Sequence, residues 1–267
     1  MASPPPPNAS SRTLIVTLTN EVFTPVRIYY ETHNRLMAAS TLRSLDCIVE
    51  SPDEGCLQWL FTAESRSLRF PDGYESVPPE RRPIVLGRVK FLDNGGMVLE
   101  TNSMRRATEG ARFFGPRFGH HIVARRCRVA NRFFAASEGD PRDLMATLDR
   151  DVTVIDPRVA EAELEKDLRN AKTPQDVERV YTERSERRRA SGADIPMIED
   201  FPLSPEEETP DFQHLDIALT LRYIRAYEHW QGNTGETLAM LIHRVFSKAG
   251  TSKSFIDALA HMRSMLN

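Results

Sequence analysis

Lysine is scarce in this chain: of 35 basic residues only five are lysine and thirty are arginine. Arginine forks suit carboxylate and phosphate geometry, and so high an arginine share also raises the background rate of arginine clusters. Cysteine is rarer still, with only Cys47, Cys56 and Cys127. An odd count without metal-ligand spacing argues against a disulfide framework and a zinc module, and free thiols in a reducing compartment are expected. No run approaches the ~18 apolar residues of a membrane span, so no membrane partner is expected. The opening MASPPPPNASSR lacks the apolar stretch of a secretory leader, which points to a cytoplasmic protein. Its proline-rich, polar composition predicts a disordered tail over residues 1–12.

Chemical signatures are missing as well. There is no glycine-rich phosphate loop and no GxSxG context, and Gly87 and Gly95-Gly96 read as hairpin glycines. His120-His121 has no carboxylate or cysteine at a supporting spacing, and His229, His243 and His261 fall on separate expected helices. No cofactor, metal or catalytic residue is therefore assigned. An enzyme assembled from residues scattered along the chain remains an alternative.

Charge is present in quantity and is unevenly placed. Residues 1–138 carry 18 basic and 14 acidic residues, and residues 139–267 carry 17 and 24, which gives +4 and -7. Eight arginines lie between Arg105 and Arg132 with Glu109 as the one acid among them. A basic first half and an acidic second half suggest two units with different surfaces.

Hydrophobic patterning predicts an α+β fold with an antiparallel or mixed sheet, packed helices in the first half and an α-helical C-terminal part. The α+β unit is expected over residues 13–138. Thr13–Leu18 and Val26–Tyr30 read as strands, and Asn34–Leu45 as a helix. Cys47–Phe61 and Ile84–Glu100 read as hairpins, the second turning at Asn94-Gly95 in a type I′ conformation. Ser103 caps a helix that should stop at Gly115-Pro116. His121–Phe134 then alternates as a strand, with Val123, Arg125, Cys127 and Val129 on one face and Ala124, Arg126, Arg128, Ala130 and Arg132 on the other.

Residues 139–190 predict a short helix, a further strand at Val152–Ile155 and a charged helical hairpin, with Asp156-Pro157 as punctuation. Residues 191–213, acidic and proline-rich, read as a linker that either docks on the basic face or stays solvated. Residues 214–267 predict three helices. Two binding surfaces follow. Arg105 and Arg112 on the helix, beside Arg126, Arg128 and Arg132 on the strand, could hold a nucleic-acid backbone or another anion. Equally, they could pair with the acidic second half. Tyr227 and Trp230 mark a face for a protein partner or for self-association. The leading expectation is a non-enzymatic binding or scaffold protein that acts through protein–protein contacts, with nucleic-acid binding as the alternative.

Overall fold

The computed structural model describes residues 13–62, 64–190, 196–203, 212–232 and 241. The expected tail and most of the last two expected helices lie outside these residues; within that region Leu241 is helical and buried. The described chain is α+β. Its elements run β1 (Val26–Thr32), α1 (Arg35–Arg43), β2 (Ile48–Ser51), β3 (Cys56–Leu60), β4 (Val85–Phe91), β5 (Met97–Thr101) and α2 (Met104–Phe118). They continue with β6 (Ile122–Ala130), α3 (Pro141–Leu144), β7 (Val152–Val154), α4 (Pro157–Leu168), α5 (Pro174–Ala190), β8 (Ile198–Pro202) and α6 (Phe212–Trp230).

All eight strands join one sheet in the order β2-β3-β4-β5-β1-β6-β8-β7. Every pairing is antiparallel except β7 with β8. The helices α1, α2 and α6 pack on one face. Trp59 lies at the centre of that core, with Phe113 stacked at 5.8 Å and Phe114 edge-on at 5.1 Å. Gly110 lets α2 approach this ring closely. A Cβ there would sit 2.8 Å from Leu99 Cδ2 and 3.0 Å from Trp59 Cζ3.

Several expectations need correction. Thr13–Leu18 forms no regular strand. It folds back as a small hairpin through the bridge Val16↔Val22, with Asn20 in the left-handed region at φ 63°. At the second hairpin only Gly95 has positive φ, 87°, while Leu92 and Gly96 close the ladder. Since a type I′ turn needs two positive φ angles, this is a three-residue loop with glycine in the left-handed position.

Helix α2 continues past Gly115-Pro116 to Phe118. Pro116 costs a backbone hydrogen bond, yet Phe118 stacks on Phe114 at 5.4 Å and meets Tyr30 edge-on, so burial outweighs the break. Gly119, at φ 57°, ends the helix. Asp156-Pro157 does separate β7 from α4, and it does so by opening the helix, with Asp156 accepting from the Arg158 N–H and Pro157 in the first helical position.

The largest correction concerns residues 191–213. The expected linker contains β8, which pairs with β6 over five positions and has Ile198–Phe201 buried. Phe201 joins the core of the first half, as do Leu215 and Leu219 of α6. The two halves therefore share one core.

Because Gly110 touches Trp59 and Leu99, Gly110→Ala should destabilise the protein. The contact costs about 1–3 kcal/mol of overpacking, against a helix-propensity gain of about 1 kcal/mol. The expected result is a lower urea midpoint with an unchanged slope. A raised midpoint would show that α2 can lift off the sheet freely.

Candidate functional site

The arginine cluster does not form one surface. A β-bulge is the reason. Tyr29 pairs with Arg126 and Tyr30 with Ala124, so Arg125 is the extra residue. Beyond the bulge the alternation inverts. Ile122 and Ala124 join Cys127 and Val129 against the helices, while Val123 takes the opposite face with Arg126 and Arg128. The face alternation expected for Val123 and Ala124 is thus exchanged. Helix α2 lies on the core face, so Arg105 and Arg112 are separated by the sheet from Arg126 and Arg128.

Each of the eight arginines is engaged within the chain. Arg105 donates to the Arg69 carbonyl at 2.7 Å and lies 3.6 Å from Glu109. Arg106, only 2% exposed, pairs with Glu21 at 2.8 Å and reaches Thr19. Arg112 bridges Glu109 and Asp216, and Arg117 caps the Phe113 carbonyl at 2.6 Å. Arg125 pairs with Glu31, and Arg132 with Glu138. Arg126 and Arg128 both donate to one oxygen of Asp200, at 3.1 and 2.8 Å. Asp200 and Asp216 come from the acidic second half, so part of the charge asymmetry is neutralised inside the fold.

Two buried clusters pin the second half in place. On the helix face, Glu199 receives Arg222 at 2.7 Å and Arg225 at 3.3 Å, while the Arg222 guanidinium covers the Phe201 ring at 3.8 Å. On the open face, Asp200 holds Arg126 and Arg128. Nearby, Arg27 bridges Glu100 and Asp149, and Lys90 also reaches Glu100. Tyr29 lies under Arg126 at 4.5 Å and Arg128 at 5.3 Å. This face carries Arg27, Arg88, Lys90, Arg126 and Arg128 against Glu54, Glu100, Asp149 and Asp200. Its charge is close to balanced.

Tyr227 and Trp230 occupy the last two turns of α6, three residues apart on one side, and are half-buried. Cys47, Cys56 and Cys127 are buried free thiols. Burial pushes Cys47 and Cys127 up to about 12, which keeps both protonated at neutral pH. Among the described residues no cluster of His, Cys, Asp and Glu could hold a metal ion, and no helix is long and apolar enough to cross a membrane.

Two features escaped the sequence reading. One is a cavity of about 290 Å³ between the Val16–Val22 hairpin, Phe70-Pro71, the start of α2 and α6. The other is that the expected helical hairpin, α4 and α5, forms an arm that packs little on the sheet. These helices are each other's main packing partners and are tied by Arg184 to Glu163 and Asp167, both at 2.9 Å. A clue to the arm was in the sequence, since a charged hairpin with a thin apolar stripe cannot bury much. The cavity had no such clue, because its walls come from four distant segments. Comparison with protein-family models, curated proteins and solved structures finds no match to this chain.

Glu21 and Glu199 are both held below the ordinary carboxylate range. Burial alone would raise each. For Glu199 the guanidiniums of Arg225 and Arg222 outweigh it, and for Glu21 Arg106 and the hydroxyls of Thr17 and Thr19 do so. A depressed folded pKa adds stability above the unfolded value and loses it as pH falls through the folded value. Stability should therefore hold from neutrality to about pH 5 and fall below about pH 4. Glu199→Ala should cost about 3–5 kcal/mol at neutral pH, because it strands two buried guanidiniums, and should give a shallower acid slope. Urea titrations at several pH values measure both. Parental stability in the variant would mean that α6 is held by its apolar face alone.

Proposed function

We propose that this chain is a non-enzymatic binding protein that works through protein–protein contacts, with the α4–α5 arm as its contact element. One observation carries the reading. Parallel strands such as β7 and β8 need a crossover of about a dozen residues, usually packed on the sheet. Here 43 residues, 155–197, make that connection. Their helices pack mainly on each other, and α5 alone, with 17 residues, is about 26 Å long.

The chemistry of the arm fits a protein partner better than a polyanion. Residues 157–190 hold nine basic and eight acidic residues, so the arm offers no field of one sign. Its junctions with the sheet carry Val154, Val159 and Met197, each more than half exposed. Mixed charge around exposed apolar residues is the usual composition of a protein–protein contact.

A second reading, nucleic-acid binding, rests on Tyr29 beneath Arg126 with Lys90 nearby on an open antiparallel face. Its near balance of charge counts against it, because a polyanion site gains most from unpaired cations.

Two measurements separate the readings. A photo-crosslinker at Val159 or Arg179 should capture a partner that the same label at Lys90 or Arg126 does not. Replacing residues 157–190 by a Gly/Ser linker of about a dozen residues should leave the sheet folded and abolish binding of that partner once purified. Retained binding after arm removal would overturn the proposal. Salt-sensitive retention on single-stranded RNA, lost in Lys90→Glu/Arg126→Glu, would replace it with the second reading.

A further inference from the structure

The cavity beside α6 has the size and lining of a ligand site, and its chemistry narrows the ligand. At about 290 Å³ it lies near the lower end of small-molecule pockets. Six apolar residues line it: Val16, Val22, Phe70, Pro71, Met104 and Leu219. Uncharged polar groups at Asn20, Ser103, Thr108, Thr220 and Tyr223 also line it.

Three charged residues also face it, and each is already neutralised. Glu21 is paired with Arg106 at 2.8 Å, and its second oxygen accepts from Thr17 and Thr19. Arg105 is engaged with Glu109 and the Arg69 carbonyl. Asp216 accepts from Arg112 at 2.8 Å. An ion entering the cavity would lose its hydration and find no uncompensated opposite charge, which is costly. A neutral molecule would gain from burying apolar surface and could hydrogen-bond to a hydroxyl.

The lining also argues against catalysis. Ser103, at the base, accepts from the Arg106 N–H and donates to Glu21, so both of its hydrogen-bonding roles are taken. Among the described residues no histidine or cysteine lines the cavity to activate a nucleophile.

We infer that this cavity binds a neutral amphipathic small molecule, with an apolar ring or short branched chain packed against Phe70 and Leu219 and a hydroxyl or carbonyl turned to Thr220 or Tyr223. Its walls come from the N-terminal hairpin, α2 and α6. A bound ligand would therefore tie α6 to the first half of the chain.

Naphthol and its charged isosteres, naphthoate and naphthylmethylammonium, test the inference by titration at neutral pH. Naphthol should bind saturably at one site, at least tenfold tighter than either ion and with little salt dependence. Val16→Trp and Thr220→Trp, which fill the cavity from its rim, should each weaken binding at least tenfold, while Val154→Trp on the far edge strand should not. Chemical-shift mapping on the unaltered protein provides a readout independent of variant folding, with the largest shifts expected at Phe70, Thr220 and Tyr223. Absence of saturable binding, tighter binding of naphthoate, or shifts centred away from these residues would overturn the inference.

Discussion

Strand β8 holds both faces of this molecule through two adjacent acids. Successive residues of a strand point to opposite sides. Glu199 therefore enters the helix-side core and receives Arg222 and Arg225, while Asp200 faces the other way and receives Arg126 and Arg128. Both acids are nearly or fully buried, so each depends on its guanidiniums, and the guanidiniums depend on it. One five-residue strand thereby anchors α6, extends the sheet beyond β6 and, among the described residues, gives β7 its one partner strand.

This arrangement also constrains function. Arginines that satisfy buried acids are poorly placed to serve an external anion, because recruiting them would expose an unpaired carboxylate. Among the described residues, the α4–α5 arm, with balanced charge and apolar residues at its junctions, and the cavity beside α6 are the two places proposed for contact. The proposals for both rest on shape and apolar contact instead of net charge.

Much of the fold was legible from local signals. Asn34 and Ser103 cap their helices through their side chains, as their residue types suggest. The hairpins β2–β3 and β4–β5 lie where turn residues separate apolar runs. The errors arose where a distant contact outweighed a local preference. Pro116 does not end α2, because Phe118 gains an aromatic stack. The bulge at Arg125 reverses a face assignment that strict alternation had predicted, and nothing within β6 alone announces it.

Within the described residues the sequence by itself determined most element types, the α+β class and the charged character of the helical hairpin. Capping, turn chemistry and hydrophobic period act over a few residues and can be read without the rest of the chain. Only the tertiary structure decided that Ile198–Pro202 is a strand, that the arginine cluster is divided by the sheet, and that four segments enclose a cavity. An acidic, proline-flanked stretch reads as linker because burying Glu199 and Asp200 is unfavourable in isolation. It becomes favourable only where four arginines from β6 and α6 converge on it.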